Sequence, residues 1–232
     1  MQIRCRIAAA ARIDSTRPDP LLGVSLLAVS KTQSSAAIRE LAVALRHAQG
    51  NRRPAFGENY VQEAVAKRHD LSDLALEWHL IGPLQSNKCS LAAAHFDWIQ
   101  SVDRPKLIPL LARGRPVVLA PLNVLLQVNI DDEDSKAGCM PDALPELAAA
   151  VARESRLRLR GLMAIPAPHL DPELRRRAFR RMHDLFVSLR RAYPTVDTLS
   201  MGMSEDFELA LQEGATLVRL GSALFGPRKP QD

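Results

Sequence analysis

The chain has 232 residues, of which 47% are hydrophobic, 25% charged and 4% aromatic, and its formal net charge is +5. That length buries a large core without a disulfide or metal staple, and the ordinary apolar and charged shares exclude a disordered chain. The longest apolar runs, such as 123–130, fall far short of the ~20 residues that cross a bilayer, so no membrane association is expected.

The opening stretch, MQIRCRIAAAARID, predicts a helix ahead of the first strand; its arginines interrupt the alanines and no secretory cleavage site follows. Short segments rich in apolar or β-branched residues then recur at 24–31, 55–59, 78–82, 98–102, 123–130, 159–165, 198–202 and 216–221. Several are too continuously apolar for a half-exposed antiparallel strand and read as parallel strands covered on both faces. Helical spacing separates them. Ile38, Leu41, Ala42 and Leu45 share one face, with Gly50 as the stop. Segments 61–69, 86–95 and 103–112 are compatible with helices. The same spacing returns at Leu144, Leu147, Ala148 and Val151, at Leu174, Ala178, Met182, Leu185 and Leu189, and at Phe207, Ala210 and Leu211 before Gly214.

Strand and helix alternate at roughly thirty residues per unit, which predicts an α/β fold: a single (β/α)8 TIM barrel with an extra N-terminal helix, one domain over residues 1–232. A doubly wound open sheet is the competitor and usually needs fewer strands. Three cysteines, Cys5, Cys89 and Cys139, lie far apart without C-x-x-C spacing. They fit reduced thiols in the cytoplasm and give no zinc site.

In this fold the working residues gather at the C-terminal ends of the strands. Lys31 ends an apolar strand, and Arg219 sits inside the last one between Val218 and Leu220. A cation facing a barrel interior needs an anion or a hydrogen-bonding partner. Glu58 is the strand-end carboxylate expected within reach of both, with Glu205 a second candidate partner for Arg219. Gly202-Met203-Ser204 and Gly221-Ser222, the latter ahead of a short helix at 223–225, follow strands seven and eight, where this fold usually cradles phosphate. A strand-end lysine facing such a cradle suggests an aldehyde cofactor, pyridoxal phosphate held as a Schiff base. Each feature also has a plainer reading, as a solvated strand end, a turn or a structural ion pair.

Other clusters read as structural. The run Arg175, Arg176, Arg177, Arg180 and Arg181 flanks an apolar helix face without interleaved aromatics, so a solvated face is expected and no nucleic-acid partner. Asp131, Asp132, Glu133 and Asp134 lack the D-x-D-x-D-G spacing of a calcium loop. His79 reads as a packed or hydrogen-bonded core residue, and no metal site is expected.

The stretches LLAVSKT (26–32), FGENYVQEAVAK (56–67), EWHLIGPLQSNK (77–88), NIDDEDSKAG (129–138), RLRLRGLMAIPAP (156–168), LSMGMSEDFELA (199–210) and VRLGSALFG (218–226) resemble, in order, those of the pyridoxal phosphate homeostasis proteins, the YggS/PROSC family. The resemblance implies a barrel similar to the N-terminal barrel of alanine racemase. It implies pyridoxal 5'-phosphate on Lys31 as a covalent Schiff base, with Ser204, Gly221 and Ser222 at the phosphate, Arg219 facing the pyridine nitrogen and Asn59 lining the ring pocket. Ser222 stands where many members have threonine, and 45–55 is longer and more basic than the usual turn. The implied role is intracellular cofactor homeostasis, by buffering and delivery to apo pyridoxal phosphate enzymes, from a monomeric cytoplasmic protein with no catalytic residue. The alternative is an amino-acid racemase. Two-base racemisation needs a second acid/base, supplied in alanine racemase by a tyrosine of an added domain; here only Tyr60 and Tyr193 are available. The permanently charged guanidinium of Arg219 also weakens the ring as an electron sink.

Overall fold

Eight parallel strands close on themselves: β1 (Ser25–Val29), β2 (Ala55–Glu58), β3 (Glu77–Leu80), β4 (Trp98–Val102), β5 (Leu122–Gln127), β6 (Leu157–Met163), β7 (Thr198–Ser200) and β8 (Leu217–Leu220), with β8 pairing back onto β1. The computed structural model describes residues 2–11, 23–49, 53–131, 137–167 and 171–226. Helices α2 (Ser35–Gln49), α3 (Val61–Asp70), α4 (Cys89–His95), α5 (Leu107–Gly114), α6 (Leu144–Ala152), α7 (Pro172–Ala192) and α8 (Phe207–Gln212) follow the first seven strands, and α9 (Ser222–Phe225) follows the last. This is the (β/α)8 barrel expected from the alternation.

The extra helix, α1 (Gln2–Ala11), lies against α8. Arg6 donates to both carboxylate oxygens of Glu208, at 2.8 and 3.1 Å, and its guanidinium sits 4.8 Å from the centre of the Phe207 ring. The longest helix, α7, shows why its sequence is helical. Asp171 accepts from the Glu173 amide as N-cap, Pro172 occupies the first turn, and Arg190 and Arg191 complement the dipole at the far end. Its buried face is Ala178, Phe179, Met182, Phe186 and Leu189. The helix α2 runs to Gln49, and its expected stop, Gly50, lies outside the described residues, as does most of the 45–55 loop's tip.

Strand ends are shorter than the apolar segments suggest. β7 stops at Ser200 because Gly202, at φ 90°, turns the chain toward α8, where a Cβ would lie 2.6 Å from that of Ala210. β5 stops at Gln127, and Val128 continues only as an isolated bridge to Cys139.

Side chains alternate across the sheet, which divides the buried residues into two shells. The outer shell, between strands and helices, holds most of the buried apolar residues, Phe56, Ile99, Phe179, Phe207, Val218 and Leu220 among them. Inside the barrel a small separate cluster, Trp98, Leu125 and Met163, shares the space with buried polar groups: His79, Gln100, Ser200 and Arg219.

Candidate functional site

A cavity of about 770 Å³ opens at the C-terminal ends of the strands, within the ordinary range for small-ligand pockets. Lys31, Asn59, Ser204, Arg219, Gly221 and Ser222 all line it. They come from the ends of β1, β2, β7 and β8, so the topology gathers into one space residues up to about two hundred positions apart.

Lys31 is half-buried, two residues beyond β1, and the backbone around it is held firmly. Thr32 adopts φ 65°, a left-handed conformation that a β-branched residue seldom takes. Its amide donates to Glu63 Oε1 at 2.9 Å. Behind it the buried Lys67 on α3 donates to the carbonyl of Ser30 at 2.8 Å, to Glu58 Oε1 at 2.9 Å and to Glu63 Oε1 at 2.6 Å. Ser30 Oγ completes the knot with a 2.6 Å bond to Glu58 Oε1.

That arrangement corrects the expectation for Glu58. It reaches neither Lys31 nor Arg219. On β2 it shares the helix-facing side with Phe56, while Gly57 lies next to Leu27 and Ile81. Its charge is answered by Lys67, and burial pushes its pKa up despite hydrogen bonds from Ser30 and Lys67. Arg219, only 3% exposed, pairs with no carboxylate among the described residues, neither Glu58 nor Glu205. It donates instead to Ser200 Oγ and to the carbonyl of Ala164, both at 2.8 Å. Burial pushes its pKa down to about 10, with Asp206 opposing, so the guanidinium stays charged at neutral pH.

The remaining wall is built by backbone. A Cβ at Gly82 would come within 2.3 Å of the Asn59 carbonyl, so only glycine lets the end of β3 lie against Asn59. On the opposite arc, Met203 donates its amide to Asp206 Oδ1 at 2.7 Å and so orders the turn that carries Ser204. Ser222 opens α9, where the amides of Ser222 and Ala223 precede the first internal donor, the Leu224 amide, and make no backbone hydrogen bond of their own among the described residues. The cavity thus offers an amine, the guanidiniums of Arg219 and Arg175, two hydroxyls and helix-start amides, with Glu205 and Asp206 also on its wall. That set suits a small anion bearing a group that condenses with an amine.

Of the arginine run, Arg175 lines the cavity, with its Nη1 4.0 Å from Asp206 Oδ2, where the sequence suggested only a solvated face; the other clusters sit elsewhere. On α7, Arg176 and Arg180 clasp Glu213 at 2.6 and 2.9 Å, and Arg181 donates to the Ile130 carbonyl, consistent with an outward structural face. His79 is 1% exposed, hydrogen-bonded and stacked on Trp98, as its strand position suggested. Asp131 accepts from the Ala167 amide, while 132–134 lie outside the described residues. Sequence reasoning missed Lys67, Ser200 and Gln100. The Glu63–Lys67 pair at i,i+4 on α3 was a readable signal for the first.

Residues 11–229 match the family described as "Alanine racemase, N-terminal domain". The chain is 51% identical over 227 residues to the pyridoxal phosphate homeostasis protein of Pseudomonas aeruginosa, covering 98% of this chain and 93% of that one. It is 50% identical over 230 residues to the protein of the same name from Escherichia coli K12, covering 98% and 94%. The solved structure of PipY from Synechococcus elongatus PCC7942 with PLP bound matches 95% of this chain and 100% of that one, at 39% identity and a TM-score of 0.74. A closed barrel, a lysine-bearing cavity at its C-terminal mouth and this degree of identity place the chain in the pyridoxal phosphate homeostasis protein family, built on the alanine racemase N-terminal domain fold.

Proposed function

We propose that this protein binds pyridoxal 5'-phosphate at Lys31 and serves its homeostasis, holding the cofactor and releasing it to apo pyridoxal phosphate enzymes, with no strong catalysis of its own. The observation that carries this reading is the convergence of Lys31, Arg219 and the Ser204 and Ser222 hydroxyls on one cavity, with neither cation paired to a carboxylate among the described residues. The names of the curated relatives and the PLP-bound neighbour support it. When bound, the cofactor supplies an aldehyde carbon and a conjugated pyridine ring.

The chain's residues then divide the work. Lys31 presents the amine, on backbone fixed by Thr32, Glu63 and Lys67. Ser204, Ser222 and the amides beside Gly221 hold the phosphate through charge-assisted hydrogen bonds. Asn59 would border the ring, and Arg219 would offer the ring nitrogen a charged donor that keeps it unprotonated. An arginine in that place limits carbanion chemistry and favours storage over turnover. The residues 1–232 act as one binding unit, a monomer in the cytoplasm; its three cysteines, free thiols, suit a reducing compartment.

Borohydride reduction of the loaded protein, followed by peptide mass spectrometry, tests the attachment. The pyridoxyl mass is expected on Lys31. Finding it on Lys88 or Lys136 in its place would sink the assignment.

A further inference from the structure

A continuous line of polar side chains runs through the barrel beneath the cavity. Arg219 Nη1 donates to Ser200 Oγ at 2.8 Å, and Ser200 Oγ donates to Gln100 Oε1 at 2.7 Å. Gln100 Nε2 lies 2.9 Å from His79 Nδ1, and His79 Nε2 lies 2.9 Å from Glu77 Oε1. Gln100 and Ser200 are fully buried, and His79 is nearly so. Glu77, at the start of β3, has a side chain 32% exposed. The line therefore crosses from the cavity floor to the opposite mouth of the barrel.

The donor inventory gives this line one direction. A guanidinium has only donors, so Ser200 Oγ accepts, and its single proton goes to the Gln100 carbonyl. The Gln100 amide then points its NH2 at His79 Nδ1, which must be bare. A neutral ring carries its proton on Nε2 and donates it to Glu77. Burial works to raise the Glu77 pKa, but the His79 hydrogen bond and nearby charges outweigh it and hold the carboxyl below its ordinary value. Each link presupposes the one before it. Only two acceptors hold the Arg219 guanidinium among the described residues, and one of them, the Ser200 hydroxyl, is turned the right way by Gln100.

We propose that Gln100, braced by His79, is a positioning residue for Arg219. It locks the Ser200 lone pair toward the guanidinium and so sets the depth and tilt at which Arg219 meets the ring nitrogen of the bound cofactor. The inference rests on the reading that the cavity takes pyridoxal phosphate. Its readout is the bound chromophore, which a residue important only for packing does not tune.

Full-length Gln100→Leu and Ser200→Ala are loaded with pyridoxal phosphate and their absorption spectra are titrated with pH, beside Met163→Leu as an interior packing control. Both test variants are expected to move the midpoint of the bound-cofactor band by about one pH unit, the size of one hydrogen bond to a charged group. Met163→Leu is expected to lower thermal stability without moving the band. Wild-type band and midpoint in either test variant overturn the proposal; Ser200→Ala, the smaller change, decides if Gln100→Leu does not fold. If the wild type shows no bound-cofactor band, the reading of the cavity fails and not the line itself. The line is then read in the unloaded protein by nitrogen-15 spectra of the histidine rings. An Nε2–H tautomer at His79 is expected, and a proton on Nδ1 overturns the proposed direction.

Discussion

Replacing Lys67 by methionine tests whether the knot behind Lys31 is held by a buried charge pair. The substitution keeps the length of the side chain and removes a cation that is 7% exposed and bonded to three acceptors. Glu63 is part-exposed and can turn to water, whereas Glu58 is fully buried and its Oε2 has no partner. Stripping one partner from such a pair costs about 3–5 kcal/mol, because the remaining charge is left in low dielectric. In a chain of this size that lowers the thermal midpoint by roughly 6–20 °C. The pH dependence has a definite sign. Burial holds the folded-state pKa of Glu58 above its unfolded value, and losing Lys67 raises it further. A raised carboxyl pKa penalises the fold fully above that pKa and not at all once both states are protonated. The deficit of Lys67→Met is therefore expected to be greatest at neutral pH and to shrink on acidification through the folded pKa of Glu58. Urea unfolding across pH measures it, and adding Glu58→Gln is expected to restore most of the loss. A deficit below about 1 kcal/mol, a flat pH profile, or no recovery in the double variant refutes the reasoning.

Replacing Ser204 and Ser222 together by alanine is expected to weaken pyridoxal phosphate binding roughly a hundredfold or more, at ~1.5–3 kcal/mol for each charge-assisted bond. Pyridoxal, which lacks the phosphate, should bind nearly as before in a fluorescence titration, and equal losses count against the cradle. Alkylation of the native protein is expected to label exposed Cys5 well before Cys139, whose thiol burial pushes up to about 11. Comparable rates at the two, measured by peptide mapping, would contradict that burial. With L- or D-alanine the loaded protein is expected to show negligible inversion, since a missing second acid/base forfeits ~10²–10⁴-fold, and Tyr60→Phe should change nothing because Tyr60 is 61% exposed. Robust inversion lost in Tyr60→Phe would establish the racemase alternative.

The eight strands and their order were legible because continuous apolar runs, spaced by helical patterns, leave few alternatives to a barrel. Lys31 and Arg219 were legible for a related reason, as charges set in segments that otherwise bury. The partner of Arg219 was not. Its acceptors, Ser200 and the Ala164 carbonyl, lie on other strands, and nothing in their local sequence marks them. Glu58 was misplaced although the clue was present. Phe56 and Glu58 alternate with Gly57, so the carboxylate shares the phenylalanine's side of the sheet and faces α3. Gln100 was invisible for a deeper reason. A glutamine in a buried strand carries no sign of what it bonds until closure of the barrel brings β3 and β7 to either side of it.

The two shells of buried residues have separate duties, and that separation shapes how the protein tolerates change. Most of its apolar cohesion lies outside the barrel wall, between strands and helices. The inner space beneath the cavity holds few apolar side chains, Trp98, Leu125 and Met163 with Leu27 and Leu217, among hydrogen-bonded polar ones. Drift among the apolar contacts of the outer layer, away from the Glu58–Lys67 knot behind Lys31, can alter robustness while leaving the ligand's surroundings untouched. One change on the inner face propagates along bonded neighbours into the site itself. Such a molecule can wander widely in sequence over its exterior and its helix packing, yet has little room to vary along the axis of its barrel.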